Sequence, residues 1–411
     1  MNSNKEVIAE RGLTIARHLK VRADDIAATI ATETNRCLKE LVKDSFPKAI
    51  ETIEFFANSI LETGHTKKNE LRLDPVGRVG VITPWNDPPI AFAWKVIPAL
   101  FTGNTVLWKP SEHLLDSSKQ FLELCHQAGF NKIEIYGFSR TDGEDLVANG
   151  NLDMIGFTGS TLTAQSILST AFKKSLIRCH VEAGGRGVCV VSGSVQDVEN
   201  TARFLARCSF YNQGQVCSKP IRYFLSANIA EQFMRSFVDE ANHWKPNGDP
   251  REIQTRVGGM ITRSAADDLV EQLRNTLIAS GNLTSLTDEP SRGYETGVDP
   301  CVILQSGSEE ALHDQEIFGP VAIFSIFDDL SEPLDHMRLS KFALENCIFS
   351  TDTDEINSFL DYSPSGLCSV NTWGSSPVGF PFGGNRQSGH GPEKCADTLK
   401  WYTTSKYIYG Y

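Results

Sequence analysis

Cys217 stands in YNQGQVCSKP, where Gly214 frees the backbone and amide side chains precede the thiol. A cysteine in a turn after a helix can be reached. Backbone N–H groups brought near its sulfur are what a thiolate nucleophile needs when a neighbouring carbonyl oxygen gains charge. Glu182, in CHVEAGGRGV, closes a strand-like run one residue before two glycines. Its carboxylate can then project into a cleft as a general base. Asn86, in TPWNDPP, follows a strand and stands just before two prolines that hold the turn, a place where an amide donor is fixed in space. Taken one at a time, the three also read as a buried thiol, a solvated loop glutamate and an Asx-turn residue. Residue type alone leaves both readings open.

A second group of residues has the chemistry to hold a nucleotide. GFTGSTLTAQS, residues 156–166, reads as a strand, a glycine turn and a helix start, with Ser160 and Thr161 as caps and free N–H groups facing a phosphate. The G-x-G-x-x-G fingerprint occurs nowhere in the chain. Lys109 and Glu112 in WKPSE stand just past a strand end, where ribose hydroxyls are often held, and they read equally as a surface charge pair.

The elements that must position these residues follow from periodicity. Residues 5–62 carry apolar side chains at helical spacing, with Gly12 and Pro47 as the exceptions. From Leu71 the chain changes to short β-rich runs split by Gly and Pro, with helical stretches between them at 92–101 and 117–128. Strand and helix alternate, as βαβ units in a parallel sheet require. A second α/β set begins at GVCVVSG (187–193), followed by a helix over 195–211, a strand at IRYFLS and a helix over 228–242. Residues 284–296 read as a surface loop and 401–410 as an aromatic strand.

The chain has 411 residues, and 40% of them are hydrophobic and 22% charged, ordinary globular usage for two to three domains. Its net charge of −12 repels phosphate backbones and anionic lipid, so neither nucleic acid nor membrane is expected as a partner. Ten cysteines without a C-x-x-C pair read as free thiols in a reducing compartment, with no metal site. No signal peptide or apolar span is found, and a cytoplasmic location is expected.

In order along the chain, PWN, KPSE, FTGST, VEAGG, NQGQVC, EIFGP, VN and PFGG resemble the NAD(P)-dependent aldehyde dehydrogenase superfamily. The resemblance implies an α/β fold. It has a Rossmann-type parallel-sheet NAD-binding domain (1–59 and 77–185), a catalytic α/β domain (186–395) and a small β oligomerisation arm (60–76 and 396–411). It implies Cys217 as nucleophile, Glu182 as base for deacylation, and Asn86 with the Cys217 N–H as oxyanion hole. It places cofactor contacts at Thr83, Pro84, Trp85, Lys109, Ser111, Glu112, Gly159, Ser160, Gly184, Glu316 and Phe318. By position it places tunnel walls at Asp87, Ile90, Trp94, Trp373 and Phe382. The cofactor implied is NAD, with NADP possible, and Glu112 favours NAD because its carboxylate repels a 2′-phosphate. The substrate is a small aldehyde, and homodimers or homotetramers are expected.

Three departures from the family pattern stand out. PWN lies nearer the start, Ala183 and Arg186 replace the usual Leu and Lys around the glycine pair, and Asp87 replaces a large apolar residue. An Asp87 facing the tunnel predicts an aldehyde with a polar or cationic end. Two other readings are a CoA-acylating semialdehyde dehydrogenase, against which Glu182 argues, and a catalytically silent subunit, against which the three catalytic-type residues argue.

Overall fold

Ile15, Leu19, Ile26 and Ile30, four to seven residues apart, are all fully buried, and the first helix, Asn2–Thr34, buries that stripe against the helix Phe46–Glu62 through its Ala49, Ile53, Phe56 and Ala57. The computed structural model describes residues 2–62, 70–307, 316–374 and 376–409. Gly12 fits inside the first helix because a Cβ there would stand 2.6 Å from the Phe101 ring. Pro47 follows a π-helical turn over Leu41–Ser45, where the regular i→i−4 ladder is already interrupted.

The first sheet has the strand order Gly389–His390, Arg178–Glu182, Met154–Thr158, Arg78–Ile82, Thr105–Lys109, Ile133–Ile135. All neighbours are parallel except the two-residue strand Gly389–His390, which runs antiparallel to Arg178–Glu182. Ile82 is in register with Lys109, and Thr158 with Glu182, so the carboxyl ends of these strands open at one edge, the usual place for a ligand in such sheets.

The second sheet runs Leu367–Val370, Glu345–Phe349, Gly187–Val191, Pro220–Ser226, Val321–Phe327, Cys301–Gln305, Leu283–Ser285, parallel except for the last pair. The helices Val198–Phe210 and Ala230–Asn242 cover it through Leu205, Phe210, Phe233 and Phe237, packed on Tyr223 and Phe324. Residues expected as a loop from Thr284 begin inside its antiparallel edge strand. A separate ribbon pairs Glu70–Pro75 with Thr403–Ile408, antiparallel. Part of the expected arm, residues 63–69 and 410–411, lies outside the described residues. Among the described residues no helix is long and apolar enough to cross a membrane. All ten cysteines are unbonded; eight are buried, Cys217 is half-buried and Cys368 exposed.

Candidate active site

The turn that presents Cys217 is held against its own preference. Asn212, Gln213 and Gly214 all take left-handed backbone angles, with φ of 48°, 53° and 67°. For the two non-glycine residues that costs on the order of 1–3 kcal/mol each and persists only where surroundings over-determine it. They do. The Asn212 N–H donates to Glu40 Oε1 (3.3 Å), Gln213 Oε1 accepts from the Val298 N–H (2.8 Å), and Gln215 Oε1 accepts from the Ile261 N–H (3.0 Å) while its Nε2 donates to the Gly259 carbonyl (3.2 Å). At Gly214 a Cβ would lie 2.0 Å from the Gly319 carbonyl oxygen, so only glycine fits. The amides before the cysteine thus act as struts of the turn.

Cys217, like Trp94, packs against the cluster of Leu344, Leu367 and Phe382, and the Trp373 indole donates to the Ser218 carbonyl at 3.1 Å. Burial pushes its thiol well up, and the charges of Glu316, Glu182 and Glu345 push it further. At rest it is a thiol rather than a thiolate.

Glu182 ends its strand fully enclosed, and burial raises its carboxyl well above the ordinary range, Lys95 opposing and Glu393 adding. The glycines around it are matters of space. A Cβ at Gly185 would meet the Cys217 carbonyl oxygen at 2.2 Å, one at Gly184 would meet Glu316 Oε2 at 2.1 Å, and one at Gly383 would stand 3.1 Å from Glu182 Oε1. VEAGG, NQGQVC, EIFGP and PFGG therefore close onto one another.

Two residues behind Glu182 were not singled out from sequence. Lys95 forms an ion pair with Glu393, both side chains almost wholly buried, and the Lys95 ammonium also points at the His180 carbonyl oxygen at 3.5 Å. A π-helical turn over Phe92–Val96 aims Trp94 and Lys95 inward, the kind of helix irregularity that recurs at functional sites. A lysine in the otherwise apolar run AFAWKVIPAL was the signal that could have found it.

Asn86 Nδ2 donates to the Gln215 carbonyl at 3.2 Å, which ties the PWN turn to the cysteine turn. Its own carbonyl accepts from Arg36 Nη1 (3.0 Å) and Asn212 Nδ2 (3.1 Å). Arg36 is buried between helices, and the structure corrects the expectation for Asp87. The Asp87 carboxylate is turned onto Arg36 Nη1 at 3.0 Å, with Glu40 and the Tyr211 hydroxyl as further partners of the guanidinium, so it offers no unpaired charge to a tunnel. A buried guanidinium needs such partners more than a substrate needs the carboxylate.

Of the expected cofactor residues, Thr83, Lys109, Gly159, Ser160 and Gly184 lie at or just past the carboxyl ends of strands of the first sheet, and Glu316 and Phe318 come from the segment before Val321–Phe327 of the second. Trp108 donates to Thr83 Oγ1 at 2.9 Å, Lys109 faces Glu112 at 3.7 Å, and Ser111 bonds to Glu112 at 3.4 Å. Gly159 donates to the Glu182 carbonyl, and Ser160 caps the helix Thr161–Lys174 by accepting from the Thr163 N–H at 3.2 Å. Trp85, after Pro84, meets Phe318 edge-on with ring centres 5.8 Å apart. Gly185 donates to Glu316 Oε1 at 3.2 Å, and burial raises the Glu316 carboxyl to about 7, opposed by that bond and by Lys219. A capped helix N-terminus, a carboxylate and lysine at strand ends, and the Glu316 carboxylate packed against Gly184 fit a dinucleotide.

On the other side of Cys217, Ile90 and Trp94 are half-buried, and Trp94 packs on Phe382 with ring centres 4.8 Å apart. Lys394 lies over the Trp94 ring at 5.7 Å and donates to the Ser376 carbonyl at 2.7 Å, and Glu345 accepts from Ser369 Oγ at 2.8 Å. These two charges were missed because GPEKC and ALENC show no pattern locally.

A family model described as the aldehyde dehydrogenase family matches residues 8–408. NADP/NAD-dependent aldehyde dehydrogenase PuuC of Escherichia coli (strain K12) is 29% identical over 405 residues, covering 96% of this chain and 81% of that protein. A 2-aminomuconic semialdehyde dehydrogenase of Mus musculus is 29% identical over 423 residues, covering 97% and 85%. Among solved structures, PnpE from Pseudomonas sp. WBC-3 matches with a TM-score of 0.90 at 26% identity, covering 98% of this chain and 85% of that one. PnpE in complex with nicotinamide adenine dinucleotide matches with a TM-score of 0.91 at 25% identity. The chain belongs to the aldehyde dehydrogenase family, NAD(P)-dependent oxidoreductases acting on aldehydes.

Proposed function

We propose that the protein oxidises an aldehyde to a carboxylic acid through a thioester on Cys217 that water hydrolyses with Glu182 as base. The observation that carries this reading is the closure of the Cys217 turn onto the Glu182 strand end, where Gly185 leaves no room for a side chain against the Cys217 carbonyl. An aldehyde cannot release hydride until its carbon is tetrahedral and its oxygen charged. Cys217 attacks the carbonyl carbon, and Asn86 with the Cys217 N–H steadies the oxyanion. Lys109, Glu112, Ser160, Glu316 and their neighbours would hold NAD, which would supply the hydride acceptor. Water then attacks the thioester while Glu182 takes its proton, which releases the acid and restores the thiol. The buried carboxyl of Glu182 favours hydrolysis over transfer to CoA.

Lys394 over the Trp94 ring supports an aldehyde with a polar tail over a long alkyl one. The cofactor is proposed to lie on the unit 1–59 and 77–185, with 186–395 as catalytic unit. The ribbon 70–75 with 403–408 is proposed to join protomers into a homo-oligomer. The test is NADH formation from NAD and a panel of amino, hydroxy, carboxy, aromatic and long-chain aldehydes, by wild type and Cys217→Ala. Turnover that depends on Cys217 is expected. Turnover retained in Cys217→Ala, or acyl-CoA as the product when CoA is added, overturns the reading.

A further inference from the structure

Arg36 follows the first helix at a break that the rest of the fold holds still. Asn35 closes Asn2–Thr34 in the left-handed region, at a φ of 58°, a conformation asparagine tolerates at a helix end. Its carbonyl accepts from the Gly259 N–H (2.8 Å), and its Nδ2 donates to the carbonyls of Met260 (3.1 Å) and Ile261 (3.2 Å). Gly258 makes that approach possible, since a Cβ there would meet the Asn35 carbonyl oxygen at 2.3 Å. On the other side of Arg36, Cys37 Sγ donates to the Thr255 carbonyl (3.0 Å) and the Leu38 N–H to the Pro250 carbonyl (2.8 Å). Gln215 of the cysteine turn grips the same segment, at Gly259 and Ile261. Arg36 and the cysteine turn are thus anchored to one piece of backbone. From that anchor the Arg36 side chain, 2% exposed, reaches the turns that carry Asn86 and Cys217. Nη1 donates to the Asn86 carbonyl (3.0 Å) and lies 3.0 Å from Asp87 Oδ2, which also accepts from Ser45 Oγ (3.3 Å). Nη2 donates to the Tyr211 hydroxyl (2.8 Å), at the end of the helix Val198–Phe210 that leads into the cysteine turn. Glu40 Oε2 stands 3.6 Å from Nε, and Glu40 Oε1 accepts from the Asn212 N–H (3.3 Å). Asn212 Nδ2 donates in turn to the Asn86 carbonyl (3.1 Å) and to that of Gln215 (3.3 Å), where Asn86 Nδ2 also arrives (3.2 Å). Burial works against the guanidinium charge, and Asp87, Tyr211 and Glu40 more than offset it, so the group stays ionised.

We propose that Arg36 is a positioning residue of the oxyanion hole: its fork sets the Asn86 amide against the Cys217 N–H by binding the turn that carries each. The inference rests on the roles given above to Asn86 and Cys217. Oxyanion donors act only when they stand about 2.7–3.1 Å from where the charged oxygen will lie, so the spacing between two donors must be held as closely as either one. Here the donors come from separate turns, and neither turn fixes that spacing alone. A planar guanidinium with donors on two sides holds both turns at once, whereas an ammonium is a single point of charge on a flexible stem. Asp87 is then the counter-charge that keeps the fork in place. Its loss slows every aldehyde by one factor, while the loss of a tunnel wall changes which aldehydes are preferred.

The experiment compares wild type, Arg36→Lys, Asp87→Asn, Asn86→Ala and the double variant Asn86→Ala/Arg36→Lys. It follows first-turnover and steady-state NADH formation with each aldehyde of the panel that wild type oxidises, and Cys217 alkylation by iodoacetamide. Arg36→Lys keeps the charge and loses the fork. First-turnover NADH formation and kcat/KM then fall together by about 100-fold, the cost of a misplacement of ~1 Å, while KM for NAD changes little. Alkylation stays within about threefold of wild type, because displacement at a saturated carbon develops no oxyanion for the hole to bind. The double variant is no slower than Asn86→Ala, as holds when one residue acts only through the other. Asp87→Asn loses about tenfold, and equally for every aldehyde. Arg36→Lys within about twofold of the wild-type rate, beside a slow Asn86→Ala, overturns the proposal. So do losses that multiply in the double variant, alkylation that falls along with NADH formation, which marks a collapsed turn, and a changed aldehyde preference in Asp87→Asn. If Arg36→Lys does not fold, Asp87→Asn and Tyr211→Phe decide, since both leave the guanidinium in place and weaken one arm of its grip, and wild-type rates in both overturn the proposal. An Asn86→Ala variant at the wild-type rate removes the reading beneath, a separate and recognisable failure.

Discussion

Replacing Lys95 by methionine tests the buried charge cluster, and the structure gives its size and its pH. The Lys95 and Glu393 side chains are 0% and 1% exposed, so solvent screens neither. Burial raises the Glu393 carboxyl to about 7 while Lys95 pulls it down. Without the ammonium it rises further. A carboxyl whose folded pKa lies above its unfolded value of ~4.3 gives stability that is complete below that value and is lost as pH climbs through the folded pKa. Wild type and variant therefore differ only where wild-type Glu393 is ionised, above about 7. There the deficit grows by about 1.4 kcal/mol per pH unit, to about 3 kcal/mol at pH 9, within the range measured for breaking a buried pair. At pH 5.5 Glu393 is neutral in both, and methionine replaces the lysine stem with little loss. The measurement is urea unfolding of both proteins at pH 5.5, 7.5 and 9. A deficit equal at all three, or largest at pH 5.5, refutes the reasoning.

Gly185→Ala drives a Cβ to 2.2 Å from the Cys217 carbonyl, a backbone atom that cannot swing aside, whereas Gly184→Ala meets only the flexible end of Glu316. Steady-state kinetics are expected to show kcat down by at least ~100-fold for the first, since a displacement near 1 Å costs that much, and chiefly a raised KM for NAD for the second; equal kcat in both would count against the geometry. Glu345→Gln removes one of the carboxylates that raise the Cys217 thiol, so the rise of Cys217 alkylation with pH should move to lower pH when followed by iodoacetamide labelling and mass spectrometry. An unmoved or alkaline-shifted curve would show that Glu345 carries no charge there.

The alternation of strands and helices was open to a reader of the sequence because the central strands of both sheets are largely buried and read as short apolar runs between glycines, as at GVCVVSG and MIGFT. The three catalytic-type residues were legible as an ordered set, each sitting at a strand end or turn that local sequence marks. What was not legible is pairing across the chain. Arg36 meets Asp87 from 51 positions away, and Lys95 meets Glu393 from almost 300, and no local signal announces either partner. The resemblance placed Asp87 at the tunnel because its position was visible and Arg36 was not. Likewise Asn212 and Gln213 announce a turn, yet their left-handed conformation is imposed by Glu40, Val298 and Gly319, which only the completed fold brings there.

The props of that turn come from the second helix region, from the PWN turn, and from segments near 259, 298 and 319, so they span most of the polypeptide. The reactive geometry of Cys217 is thus a late product of folding rather than a property of its neighbourhood. Recovered activity during refolding then reports long-range assembly, lagging behind any signal from the local helices.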